Sequence, residues 1–369
     1  MTAAPGWLLL WAEWLLRASL QAAALFAVLW AAEPLLRRMP ATVRHALWML
    51  VPVKVLLPPA LSSPFSLAAP AVQPAEGYAV GLLRLFADPL RAHHGAVGLG
   101  PEVGVLSTPL QELGWQPPAS AVAVLLAALF AVWAAGVVRM LYLIVKQQLV
   151  VSRVVASGRL VESGPLAALL AEAAGRGGPK PRLVLAAIEG SPFLCGLLRP
   201  TIVLPAGLPG SLTRDELLAV LRHELEHWRR GDLAWCWLQS AALAPFWFHP
   251  LLWLAQERID EERELAVDAA VSGATLAERA AYARTILAVL EETVAAPARA
   301  LAFTGAPGAR VERRLREAIR PVRAGAAQAR GLWAGAALFA AVMLPMNSSL
   351  EDPVFATNRA AAVVETRAA

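Results

Sequence analysis

Two histidines four residues apart, with a glutamate beside the first, are the residues in this chain whose types and spacing best suit chemistry: His223-Glu224-Leu225-Glu226-His227. On an α-helix, residues four apart lie on one face. Two imidazoles so placed can grip one Zn²⁺, and Glu224 can take a proton from the water that such an ion activates. Three conditions follow. The stretch must be helical, a third donor must exist, and all donors must lie on one side of any membrane.

A catalytic zinc keeps three protein ligands and leaves a fourth position open. Downstream stand Glu257, Asp260, Glu261, Glu262, Glu264 and Asp268. An acidic run of this kind is ordinarily a solvated helix face. Glu264 and Asp268, however, are four apart, which suits one carboxylate as a ligand and a second that orients a ligating histidine through its other ring nitrogen. Spacing leaves Glu261 open as the ligand. His45, His93, His94 and His249 are poor third donors; His93 and His94 are adjacent and cannot face one site on a regular element, and His249 is better suited to lining a pocket. Cys195 and Cys236 sit at no metal-ligand spacing and read as reduced, buried small hydrophobes.

The elements that must position these groups are legible nearby. Thr213-Arg214-Asp215-Glu216 is a capping box that opens a helix through Leu217, Leu218, Leu221 and Leu225, and Gly231 ends it. Residues 182–188, 193–196 and 201–204 read as short strands separated by Pro and Gly, and Leu166–Ala174 as a short helix.

The wider chain has membrane character. Of 369 residues 57% are hydrophobic and only 17% charged, with a mean hydropathy of +0.53, which excludes an ordinary soluble globule. Apolar runs at Trp7–Leu36, Ala46–Pro59, Ala119–Val145 and Gly331–Leu350 predict four spans. The second is weak, because it contains Pro52 and Lys54 and needs bundle neighbours. Glu13 and Arg17, four apart within the first run, read as a self-neutralising pair. No basic residue precedes that run, so it does not read as a cleaved signal peptide. The net charge of +5 and the arginines at 310, 313, 314, 316, 320, 323 and 330 read as positive-inside determinants with some anionic-lipid contact, not as a nucleic-acid surface. The resulting division is 1–58 (first two spans), 59–118 (extracytoplasmic loop), 119–145 (third span), 146–330 (cytoplasmic lobe), 331–350 (fourth span) and 351–369 (extracytoplasmic tail). Residues 233–255 are apolar enough for a fifth span. A crossing there would put the HExxH helix and the carboxylates after Glu257 about 30 Å apart, and Pro245 and Pro250 break a continuous helix. The stretch therefore reads as a membrane-associated hairpin of two helices, the second starting near Pro250.

With these residues assembled, the chain resembles the BlaR/MecR-type antirepressor membrane zinc metallopeptidases of bacteria. The resemblance rests on Arg44-His45-Ala46-Leu47-Trp48, on Pro192-Phe193 through Gly196-Leu197-Leu198-Arg199-Pro200-Thr201-Ile202-Val203-Leu204-Pro205, and on His223–His227 with Arg229-Arg230-Gly231-Asp232. It continues through Phe246-Trp247-Phe248-His249-Pro250-Leu251-Leu252-Trp253 and Arg263-Glu264-Leu265-Ala266-Val267-Asp268. It implies His223, His227 and Glu264 as Zn²⁺ ligands, Glu224 as base and Asp268 as the outer carboxylate. It implies a mostly α membrane protein of the bacterial cytoplasmic membrane, with a cytoplasmic gluzincin-like α+β lobe that cleaves a cytoplasmic protein, a winged-helix repressor. His249 stands where asparagine is common and Val267 where cysteine is common; neither removes a ligand. The stretch after Leu350 contains no Ser-x-x-Lys nucleophile, so covalent β-lactam sensing by it is not expected. Two rival readings are a quality-control or CAAX-type zinc protease and a non-catalytic transducer that keeps its metal. A homodimer is compatible with each.

Overall fold

The computed structural model describes residues 6–57, 119–175, 181–294, 307–320 and 326–344. The expected 59–118 loop with His93 and His94, the 351–369 tail and the end of the fourth apolar run lie outside the described residues.

The chain opens with α1 (Gly6–Ala31), a short α2 (Glu33–Leu36) and α3 (Ala41–Leu56). Inside α1, Arg17 and Glu13 form the expected pair at 2.9 Å. Then comes α4 (Ala119–Ser157). The apolar run predicts a helix to about Val145, but α4 continues twelve residues further because neither Pro nor a helix-ending Gly occurs before Gly158. Its charged residues Arg139, Lys146 and Arg153 do not interrupt a helix that leaves the apolar zone. Of the described helices, α1 and α4 are long and apolar enough to cross a membrane. With its 16 residues, α3 is about 24 Å long at 1.5 Å per residue.

A small sheet follows: β1 (Arg159–Leu160), β2 (Arg182–Ala186), β3 (Phe193–Cys195) and β4 (Thr201–Pro205), with α5 (Pro165–Ala174) between β1 and β2. The strand order is β1-β2-β4-β3. The β2–β4 pair is parallel and β3 pairs antiparallel with β4, so β3 is an edge strand. After α6 (Leu208–Ser211), α7 (Arg214–Arg229) opens on the Thr213–Glu216 capping box and stops where Gly231 turns to φ 70°. One stripe of α7, Leu217, Leu221 and Leu225, packs on Leu183, Ile202 and Leu204 of the sheet and on Leu169 and Leu170 of α5. Burying that stripe turns the other face of α7, with both histidines, away from the sheet core.

The apolar stretch after Gly231 forms α8 (Asp232–Leu243), a turn, and α9 (Pro250–Val271). At 12 residues, α8 reaches about 18 Å, short of a bilayer core. Pro250 starts α9 at a position where its missing N–H costs nothing. The hairpin shares one core with the N-terminal helices: Ala242, Phe246, Leu252, Ala255 and Ile259 pack among Leu25, Leu29, Trp48, Val51 and Val55. Its turn is pinned to α4. Trp133 donates to the Pro245 carbonyl at 2.7 Å and Trp247 donates to the Trp133 carbonyl at 3.2 Å. Gly136 makes room for this, since a Cβ there would overlap the Trp247 indole. The remaining helices are α10 (Leu276–Val294), α11 (Pro307–Ile319) and α12 (Ala326–Met343).

Gly136→Ala should therefore lower the thermal midpoint of the detergent-solubilised protein, at a cost of about 1–3 kcal/mol for overpacking. Gly335→Ala, at a helical glycine with open space around it, should leave the midpoint unchanged or raise it.

Candidate metal centre

The two histidines of α7 meet one carboxylate of α9. His223 Nε2 and His227 Nε2 are 3.2 Å apart, and Glu264 places its two carboxylate oxygens 3.5 Å from the first and 3.6 Å from the second. These three donor atoms form a group able to hold a metal ion. Donors about 2.0–2.1 Å from a shared tetrahedral ion stand roughly 3.3 Å apart, so the residues present fit Zn²⁺. Glu261, the alternative that spacing leaves open, is turned away to Arg258 at 3.1 Å and to Arg313.

Each imidazole has its other nitrogen engaged. His227 Nδ1 lies 2.8 Å from Asp232 Oδ2. His223 Nδ1 lies 2.8 Å from the Tyr282 hydroxyl and 3.3 Å from Asp268 Oδ1, and Tyr282 itself donates to Asp268 Oδ1 at 2.7 Å. With Nδ1–H donating to these oxygens, each imidazole turns its Nε2 toward the common point, where a metal ion would take the place of any Nε2 proton. Asp268 is held in turn by Arg314, whose Nε and Nη2 donate to its two oxygens at 2.8 Å each. The third nitrogen of that guanidinium, Nη1, is 3.5 Å from Glu264.

Charge explains the titration pattern. Burial would push Glu264 and Asp268 up, but hydrogen bonds from His223 and Arg314 and the nearby positive charges outweigh it; Glu264 is held well below the usual carboxylate range and Asp268 below its own. Burial would lower His223, yet its hydrogen bonds to Asp268 and Glu264 raise it to about 10. Glu224 makes the opposite response: burial raises it, opposed by His223 and His227. A buried carboxylate whose proton affinity is raised is suited to accepting and returning a proton.

Glu224 opens onto a cavity of about 660 Å³ that also exposes His223, His227, Glu264, Tyr282 and Arg314. One wall is edge strand β3. Another is the far end of α4, which presents Ile144, Gln147, Gln148 and Val151. His249 does not line this cavity; its Nε2 is 3.2 Å from the Ser19 carbonyl within the helix bundle. Sequence reasoning gives Asp232 and Tyr282 no part in the site, and reads Arg314 only as one of the positive-inside arginines, whereas it is paired with Asp268 and Glu264. Asp232 offered a signal, five residues after His227, whereas Tyr282 lies on a helix of mixed character with no motif around it and Arg314 among many arginines.

A helix carrying two imidazoles, a second helix supplying a carboxylate and membrane-length helices packed around them define a helical membrane protein with a His–His–Glu centre of the metallopeptidase kind. The sequence matches the family described as BlaR1 peptidase M56 over residues 13–316, and the chain belongs to that family. It is 30% identical over 146 residues to the regulatory protein BlaR1 of Bacillus licheniformis, covering 39% of this chain and 24% of that protein. It is 30% identical over 78 residues to the methicillin resistance mecR1 protein of Staphylococcus aureus, covering 21% of this chain and 13% of that one. The chain thus spans about a quarter or less of the length of these relatives.

The charge pattern predicts a proton-coupled metal uptake. With its value raised to about 10, His223 is protonated at neutral pH in the metal-free protein. That contribution to folding is fully present below the unfolded histidine value of about 6.5 and is lost as pH rises through the folded value. Zinc loading at pH 7.5 should release about one proton, seen as a buffer-dependent calorimetric enthalpy, and should tighten as pH rises.

Proposed function

We propose that this chain is a membrane-embedded zinc endopeptidase of the bacterial cytoplasmic membrane, acting in signal-dependent regulation on a cytoplasmic protein of the winged-helix repressor type. The observation that carries the reading is the convergence of His223, His227 and Glu264 donors within 3.2–3.6 Å at the wall of a cavity that also holds Glu224. A purely structural metal would have no use for that glutamate. Membership of a peptidase family and similarity to a regulatory protein and a resistance protein support the same reading. The balance of Lys and Arg near the helix ends favours four spans with the site on the cytoplasmic side.

His223, His227 and Glu264 would hold Zn²⁺, which supplies Lewis acidity to a water and to the scissile carbonyl. The residues of the chain do the rest. Asp232 and Asp268 fix the tautomers of His227 and His223 so that both Nε2 atoms point inward. Glu224 takes a proton from the attacking water and returns it to the leaving amine, as its raised affinity for protons allows. The outer edge of β3 borders the cavity, and an extended substrate adding there as a strand would present successive side chains to alternate faces.

Glu224→Gln in the purified full chain should keep zinc content at one ion per chain while peptide-bond hydrolysis falls by about 10²–10⁴-fold, the usual contribution of a general base. Comparing proteins cleaved in cells with the wild type and this variant would identify the substrate. Unchanged cleavage in the variant overturns the assignment.

A further inference from the structure

Arg44, at the start of α3, is buried, 4% exposed, and its contacts lead to one flank of the metal centre. Its Nε donates to Glu262 Oε2 at 2.6 Å, and its Nη1 donates to the Met39 carbonyl at 2.8 Å. Glu262 is 1% exposed, and its other oxygen accepts from Arg313 Nη2 at 2.6 Å. The next residue along α11 is Arg314, which grips Asp268 and reaches Glu264. Glu262 and Glu264 are two residues apart on α9, as Arg313 and Arg314 are neighbours on α11. A shift of the outer pair therefore displaces the inner one.

We infer that Arg44 is a positioning residue for the metal centre: helix α3 sets the His223 side through Glu262, Arg313 and Arg314. The inference rests on the zinc reading above and adds to it a contribution from the N-terminal membrane bundle. A carboxylate as buried as Glu262 needs its cations, because removing one leaves an uncompensated charge out of water. An ion pair that merely fastened α3 to α9 would not have to share its carboxylate with the helix that bears Arg314. Here it does, so the fastening and the alignment of the ligands are one network.

The test uses the full chain in detergent micelles, with Zn²⁺ affinity from chelator competition and the visible spectrum of the Co²⁺-loaded protein as a report on ligand geometry. Arg44→Gln should weaken zinc by about tenfold or more, the usual effect of losing an outer partner, and should alter the cobalt spectrum. Arg44→Lys should recover most of the affinity, and Arg37→Gln, at an exposed arginine shortly before α3, should match the wild type. If Arg44→Gln fails to fold, Arg313→Gln, which removes the other cation on Glu262, decides. Zinc affinity within about twofold of wild type and an unchanged cobalt spectrum in the folded variants overturn the inference. A wild-type chain that binds no zinc overturns the metallopeptidase reading itself, and this inference with it.

Discussion

The structure depends on keeping several carboxylates ionised where water is scarce. Glu262 and Asp268 are each 1% exposed, and an isolated carboxylate in such surroundings would neutralise itself by taking up a proton. Arginine is the countercharge that opposes this: it outweighs burial at Asp268, whereas at Glu262 burial still leaves the carboxyl raised. Arg44 and Arg313 share Glu262, and Arg314 forks onto Asp268. The fork fixes orientation as well as charge, since two parallel N–H donors define a plane that a lysine could not. With Asp268 and Asp232 each holding one imidazole by its Nδ1, the two rings present their Nε2 atoms to each other and to Glu264.

Packing supplies the second half of the arrangement. The leucine stripe of α7 is held by the sheet, whereas α9 is held by the N-terminal bundle through Leu252, Ala255 and Ile259. The site therefore lies on the seam between two apolar cores, one carrying the histidines and the other the carboxylate. Neither core alone contains a complete donor set. Ridged, close-packed interiors do not deform smoothly, so the seam holds the 3.2–3.6 Å donor spacings as firmly as the two cores hold their helices.

What could be read in the sequence was local. The capping box, the stop at Gly231, the three strands around residues 182–205 and the two helices flanking Pro245 each announce themselves within a few residues, and each is found. The candidate donors were legible because HExxH confines two of them to one turn of helix, and the third lies among few carboxylates. The remainder depends on distant pairings. Arg44 and Glu262 are 218 positions apart, and nothing in the sequence around Arg44 distinguishes an arginine facing lipid headgroups from one buried against a glutamate. Arg314 is one of several arginines on a helix, and its register relative to α9 comes only from packing. The length of α4 was underread because hydropathy reports where a helix leaves an apolar environment, not where it ends.

The shared core between α3 and the α8–α9 hairpin bears on how such a chain can be rearranged. A piece starting at α4 would carry all three donors, yet Glu262 would keep one of its two arginines, and Phe246 and Ile259 would lose their cover. The two halves are therefore not interchangeable modules. A chimera that takes residues 214–271 from one relative would have to take its partner for residues 41–56 from the same one, because the fit between them is a joint property of both segments.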